Sequence, residues 1–350
     1  MTTILSNRVQ KVKPSATMAV SDKAKELKSQ GVQIISMGSG EPDFDTPVNI
    51  QKAAIHAIGA GETRYTAADG TPELKKAIRD KFKRENGLDY TANEVMVSCG
   101  GKQVFYNLCQ AILNEGDEVI IPTPYWVSYP DMAILADGTP VFIEAGLDQD
   151  FKITPQQLEA SINAKSKLLV LNSPSNPTGS VYSKSEIEAL GEVLKKHPHV
   201  LVISDDIYEH IRWGNDEFIN IAMACPELKD RIIILNGVSK AYAMTGWRIG
   251  YAAGPELVIK AMKKIQGQST SNPSSISQAA ALEAINGDQS FITMMVEAFE
   301  RRHNFLVESL NAIDGIECPR SGGAFYSFPK VQGLIERIGL QDDVEFSTYC

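Results

Sequence analysis

Two cations stand eight residues apart in the run Asn236-Gly-Val-Ser-Lys-Ala-Tyr-Ala-Met-Thr-Gly-Trp-Arg-Ile-Gly250, and both are of types that do chemistry. Lys240 lies just past a continuous apolar stretch, Ile232 to Leu235, and Arg248 follows it. A lysine held in a dry crevice beside another cation has a lowered pKa and becomes a nucleophile towards carbonyls. An arginine close by can grip the oxygens of a phosphate in bidentate fashion. An amine for a carbonyl next to a phosphate grip suggests pyridoxal phosphate. Taken alone, however, a lysine between Ser239 and Ala241 is more often a solvated surface residue, so the reading depends on its surroundings.

The surroundings are polar residues at the ends of apolar runs. Asp205 follows the run ending at Ser204, with Tyr208 one turn later. Asn172 and Asn176, in Asn172-Ser-Pro-Ser-Asn-Pro-Thr-Gly179, follow the run ending at Leu171. Gly100-Gly-Lys-Gln103 follows Val95–Ser98 and opens a helical stretch, so Gly101 and Lys102 stand at a helix N-terminus. Each has an ordinary structural alternative. Asp205 could cap a helix, the Gly100-Gly101 pair could only ease a tight turn, and Asn-Pro-Thr-Gly could be a turn and nothing more. Tyr125 and Trp126, in Pro124-Tyr-Trp-Val-Ser-Tyr-Pro130, could be core aromatics. None of these alternatives explains why all of them fall on one rim.

The elements that must carry this rim are short apolar runs separated by helical stretches. Val95–Ser98, Glu118–Ile121, Val141–Ile143, Leu168–Leu171, Val200–Ser204 and Ile232–Leu235 read as strands. Most are continuously apolar, which marks strands buried on both faces of a parallel sheet. Gly101–Leu113, Ser183–Lys196 and Glu256–Ile265 read as helices between them. The alternation predicts an α/β fold with a mostly parallel, doubly wound sheet, and ligands in such sheets sit outside the carboxyl ends of the strands. After about residue 290 the pattern becomes one long helix, Phe291–Asn311, followed by two expected strands of a second α+β lobe, Gly315–Cys318 and Gly322–Phe328. The segment Gly38–Pro47 is turn-rich and reads as loop.

Composition narrows the function class. The chain has 350 residues, is 43% hydrophobic and 22% charged, and carries a net charge of −9 without a basic block, so nucleic acid is an unsuitable partner. Five cysteines without Cys-x-x-Cys spacing argue for reduced thiols and against a disulfide framework or a zinc site. The histidines are scattered, and His197-Pro-His199 reads as a helix end, so no metal is expected. No signal-peptide pattern and no run of 18 apolar residues is present, which makes a cytoplasmic enzyme without membrane association the default. Gly100-Gly-Lys102 fails as a nucleotide-binding loop because Gln103 replaces the Ser or Thr and the upstream glycine is missing. Gly38-Ser-Gly-Glu-Pro-Asp43 fails as a dinucleotide fingerprint because its third glycine is absent and Pro42 interrupts it.

The run around Lys240, together with Asn-Pro-Thr-Gly, Ser-Asp-Asp-Ile-Tyr-Glu, Gly-Glu-Pro-Asp-Phe-Asp-Thr-Pro and Pro-Tyr-Trp-Val-Ser-Tyr-Pro, resembles the fold-type I, class I aminotransferases, in particular the bacterial aspartate aminotransferase subgroup Ib. The similarity runs in order from about residue 5 to 330. It implies pyridoxal 5′-phosphate as cofactor, with Lys240 as the Schiff-base lysine and proton shuttle. Asp205 would pair with the pyridine nitrogen, and Tyr208 and Asn176 with the ring's phenolic oxygen. Trp126 would stack on the ring. Arg248 and the backbone around Gly100, Gly101 and Lys102 would bind the phosphate. Tyr65 would reach the phosphate of the neighbouring subunit in a homodimer. Gly40 would lie against the substrate carboxylate, and Lys13 stands where some members contact a dicarboxylate, although it is equally read as an exposed residue of the amino-terminal arm.

The resemblance also implies a division into an arm and part of a small domain (1–47), a large cofactor-binding domain (48–290), and a carboxyl-terminal small domain (291–350). That last domain is expected to be incomplete, because the family's arginine for the substrate α-carboxylate would follow residue 350. The arginine that subgroup Ia uses for the side-chain carboxylate has no readable counterpart. The expected reaction is ping-pong transamination between L-aspartate or glutamate and a 2-oxo acid such as 2-oxoglutarate. The alternatives are another acceptor (prephenate, aromatic or alanine type), a carbon–sulfur β-lyase, and a non-catalytic protein that keeps the cofactor fold or only binds phosphate.

Overall fold

The computed structural model describes residues 4–13, 16–35, 37–38, 40–214 and 217–349; Cys350 lies outside them. Seven strands form one sheet: β1 (Val95–Ser98), β2 (Glu118–Thr123), β3 (Thr139–Glu144), β4 (Ser166–Asn172), β5 (Leu201–Asp205), β6 (Ile232–Gly237) and β7 (Gly250–Ala253). Their order across the sheet is β1-β7-β6-β5-β4-β2-β3. β3, β2, β4, β5 and β6 pair in parallel, whereas β7 runs antiparallel to both β6 and β1. The mostly parallel, doubly wound sheet is therefore as the apolar runs predict.

Continuous apolarity works here because the strands are covered on both sides. Along β6, Ile232 and Ile234 pack into one hydrophobic cluster while Ile233 and Leu235 pack into the other. The first cluster takes in the helices Val48–Gly59, Pro72–Asn86, Lys184–Lys196 and Ser275–Asn286; the second takes in Gly101–Ile112, Ser128–Leu135 and Glu256–Ser269. β3 is the edge, and its mostly unburied residues, Pro140 among them, fit a strand that needs fewer ladder bonds.

Local signals set the helix ends. Thr71 caps Pro72–Asn86 through its side chain, Pro72 stands at the first position, and Gly87 closes the helix in the left-handed conformation at φ 66°. Ser183 and Glu186 form a capping box at the start of Lys184–Lys196, and His197 ends that helix, as its Pro neighbour predicts.

Two expectations are corrected. Gly315–Cys318 and Gly322–Phe328 form no strand; among the described residues they make only isolated bridges, Glu317 with Lys330 and Arg212 with Gly323. Their short apolar runs lack a neighbouring strand to pair with, and Phe325 packs instead against Tyr208 and Phe299 beside the long helix Ser290–Asn311. Conversely, β7 escapes the sequence reading because Gly250-Tyr-Ala-Ala253 is brief and small-residue-rich, yet all four of its residues are buried.

Candidate active site

A cavity of about 550 Å³ opens at the carboxyl ends of β4, β5 and β6. Gly40, Gly101, Lys102, Trp126, Asn176, Asp205, Tyr208, Lys240 and Arg248 all line it. Asp205 ends β5 and no helix begins there, so the capping alternative falls. Asn172 ends β4 and donates to the Asp205 carbonyl at 2.8 Å, and its own side-chain oxygen accepts from the Asn176 amide at 2.7 Å. One strand end thus stiffens the next.

Lys240 projects from the turn after β6, and its Nζ donates to the carbonyl of Gly40. Burial lowers its pKa from 10.5 to about 8; Arg248 pushes it the same way, while Glu41 and Asp205 oppose. The amine is therefore neutral in a useful fraction of molecules near neutral pH.

Asp205 is 4% exposed. Burial raises its carboxyl to about 6, against the hydrogen bonds from Tyr129 and the Ile207 amide and the charge of Lys240. The Tyr129 hydroxyl, itself enclosed and well above its usual pKa for the same reason, donates to Oδ2. Lys240 and Asp205 are two titratable groups whose environments bring their pKa values towards neutrality from opposite sides, a pattern of functional sites.

At another wall, Gly100 has φ +86°, and a Cβ there would meet the Arg248 guanidinium at 2.2 Å. A Cβ at Gly250 would meet the Gly101 nitrogen at 2.4 Å. These glycines let β7 and the start of Gly101–Ile112 approach, so the guanidinium lies beside a helix N-terminus whose amides favour anions. Arg248 is itself at φ +58°, donating to the carbonyls of Thr245 at 2.9 Å and Cys99 at 3.3 Å. Burial and Arg248 lower the Lys102 pKa, and its Nζ stands 5.2 Å from the centre of the Trp126 ring.

Tyr208 and Asn176 meet at a residue the sequence reading passed over as part of a strand. The hydroxyl of Tyr326 lies 2.5 Å from that of Tyr208 and accepts from Asn176 Nδ2 at 3.1 Å. A Cβ on Gly40 would come within 2.9 Å of the same hydroxyl. Tyr129 was also missed as a functional group, although it lies within the Pro124–Pro130 motif; it meets Trp126 edge-on at 5.2 Å. Two predicted residues stand apart: Lys13 is exposed and Tyr65 is 91% exposed, and neither lines the cavity.

Glu85, Glu209 and His210 form a cluster with ligand atoms within 4.8 Å of one another, but the buried Lys81 ammonium already balances its carboxylates. Cys99, Cys109, Cys225 and Cys318 are free thiols. No helix among the described residues is long and apolar enough to cross a membrane.

Known proteins carry the same architecture. Residues 32–349 match the profile of the aminotransferase class I and II family. An aspartate/prephenate aminotransferase of Nitrosomonas europaea is 56% identical across 99% of this chain and 88% of its own length. One from Cereibacter sphaeroides is 54% identical across 98% and 87%. Among solved structures, the aspartate aminotransferase of Rhizobium meliloti superposes with a TM-score of 0.91 at 49% identity, covering 94% of this chain and 83% of that one. That of Thermus thermophilus with maleate gives 0.89 at 45%, covering 93% and 84%. With the fold and nearly the whole length in agreement, this chain belongs to the class I and II aminotransferases.

Proposed function

We propose that this chain moves amino groups between L-aspartate or L-glutamate and a 2-oxo acid such as 2-oxoglutarate, in two alternating half-reactions, with pyridoxal 5′-phosphate held beside Lys240. The observation that carries the reading is a walled-in lysine amine, its pKa lowered by burial, in the same cavity as a buried carboxylate and an arginine at a helix start. The names of the relatives, aspartate/prephenate aminotransferases, support aspartate as donor and prephenate as a further acceptor. The maleate of the Thermus structure, a four-carbon dicarboxylate, supports an acidic substrate.

The donor set suits that cofactor. Arg248 and the amides of Gly101 and Lys102 suit a phosphate. Asp205, held by Tyr129 and the Ile207 amide, offers an anion to a protonated ring nitrogen. Tyr208 and Asn176, now joined through Tyr326, offer donors to a phenolic oxygen. Trp126 supplies an aromatic wall. When bound, the cofactor supplies a conjugated cationic ring that accepts the electron pair released at the substrate Cα.

The chain's own part is proton handling and positioning. Lys240 Nζ, neutral when its proton is lost, would hold the cofactor's aldehyde as an imine with loss of water and, once an incoming substrate amine displaced it, would be free to take the proton from the substrate Cα. Asp205 keeps its charge in a buried setting because Tyr129 and the Ile207 amide both donate to it. Gly40 leaves room for a substrate carboxylate beside Tyr326.

We also assign residues 48–290 to a cofactor domain and 1–47 with 291–350 to a smaller one, and a cytoplasmic homodimer in which Tyr65 serves the neighbouring site. The high exposure of Tyr65 supports that last assignment, and Lys13 stays a candidate dicarboxylate contact on the resemblance alone. Following the absorbance of the bound cofactor on adding aspartate, phenylalanine and alanine separately tests cofactor, half-reaction and donor together. Aspartate should convert it fastest; no change with any of the three would end the proposal.

A further inference from the structure

Behind the cavity, on the far side of the turn that carries Tyr208, lies an ion pair that the reaction does not touch. Lys81 is 1% exposed, and its Nζ donates to Oε1 of the equally buried Glu209 and, at 2.9 Å, to Oδ1 of Asn86. Asn86 Nδ2 donates to Glu209 Oε2 at 3.1 Å, and Asn236 Nδ2 donates to Glu209 Oε1 at 2.8 Å. The Glu209 carboxylate thus joins three elements: the end of helix Pro72–Asn86, the turn after β5, and β6. His210 and Glu85 close the cluster towards solvent, their side chains 2.9 Å apart. Burial would raise the Glu209 carboxyl, but Lys81, His210 and Asn86 together hold it below the usual range.

Stability alone does not account for such an arrangement, since buried ion pairs replaced by packed apolar residues often cost a protein nothing. What a directional, fully bonded carboxylate gives is registration. Glu209 immediately follows Tyr208 and faces away from the cavity; Asn236 precedes Lys240 by one turn of chain on the strand that delivers it. The two amides of the turn, Glu209 to the Asp206 carbonyl at 2.9 Å and Ile211 to the Tyr208 carbonyl at 2.8 Å, are short-range and do not reach β6. Asp206 helps by donating its backbone N–H to the Leu235 carbonyl, but below Tyr208 the side-chain tie to β6 is the hydrogen bond from Asn236 to Glu209.

We propose that Glu209, paired with Lys81, is a positioning residue that sets the Tyr208 turn against the strand end bearing Lys240. The proposal rests on the assignment of Tyr208 and Lys240 to the cofactor site. Its consequence is that the pair governs turnover more than substrate affinity, because small misplacements of reacting groups are costly even when binding surfaces are intact.

The test is the double variant Lys81→Met/Glu209→Leu, which removes both charges together, with Asn236→Ala as a companion that cuts only the tie to β6. The double variant should fold, with Tm within about 5 °C of wild type. Its kcat should fall by roughly tenfold to a hundredfold while KM for the amino donor changes by less than about threefold, and the pH of the cofactor's absorbance transition should move. In the cofactor-free form, hydrogen exchange at the Glu209 and Ile211 amides should quicken while β6 amides stay protected. Asn236→Ala should shift kcat and the absorbance transition in the same direction. A stable double variant with native kcat, absorbance transition and exchange overturns the proposal. So does an Asn236→Ala protein that is native in all three when the double variant does not fold. If wild-type protein carried nothing covalent at Lys240, the assignment beneath the proposal would fail instead, and that is read separately by peptide mapping after hydride trapping.

Discussion

The Tyr129 hydroxyl donates to the Asp205 carboxylate from a side chain that is only 2% exposed. The geometry makes Tyr129 the group that keeps this buried aspartate ionised, since a phenol far above its ordinary pKa is always a donor here. Tyr129→Phe preserves the ring contacts with Phe105 and Trp126 but removes that donor. The Asp205 titration, about 6 in the cofactor-free protein, should then rise by about one unit. Carboxyl NMR of the variant reads this directly, and an unchanged titration would show that Tyr129 does not hold the charge.

The raised Asp205 pKa also makes a stability prediction. The folded carboxyl binds its proton more tightly than the unfolded one, so the stability it contributes is present at low pH and lost as pH rises from about 4 to about 6. Above pH 6 the ionised group is a burden of up to about 3 kcal/mol. Cofactor-free Asp205→Asn should therefore be more stable than wild type at pH 8, and that advantage should vanish near pH 3. Denaturant unfolding at both pH values checks it, and the same variant should lose most of its transamination.

Lys240→Ala should retain the cofactor non-covalently and lose transamination by between about a hundredfold and ten-thousandfold. In the wild type, covalent capture of an aldehyde should accelerate as pH rises through about 8, where the amine loses its proton. Stopped-flow absorbance across that range is the measurement. A pH-independent rate would remove Lys240 from the role.

Gly100→Ala places a methyl on the Arg248 guanidinium and forces a side-chain-bearing residue to φ +86°. We expect cofactor affinity to fall at least about tenfold, with a destabilisation of about 1–2 kcal/mol from the backbone alone. Equilibrium titration of the cofactor-free variant measures the first and thermal unfolding the second.

Much of this is legible in the sequence alone. The strands carrying Asp205, Asn172 and Lys240 announce themselves because burial on both faces demands unbroken apolar runs, and the polar residues ending those runs mark the rim. Tyr129 and Tyr326 were not legible as site residues, because their roles come from hydroxyls meeting Asp205 and Tyr208 across 76 and 118 positions of chain. No local pattern encodes such a meeting. β7 was hidden for a different reason: four small or aromatic residues inside a loop motif carry no periodicity. The two expected strands after residue 314 failed because a strand needs a partner, and among the described residues only the isolated bridges Arg212–Gly323 and Glu317–Lys330 offer one.

The return of β7 against β6 ties the segment between them at both ends, Asn236 opposite Tyr251 and Gly237 opposite Gly250. Amine and guanidinium therefore hang from one loop closed by a single antiparallel ladder. An inserted or deleted residue there would displace both groups at once, whereas on the cavity wall Gly40 and Tyr326 constrain each other, because a side chain at Gly40 needs the Tyr326 hydroxyl to give way.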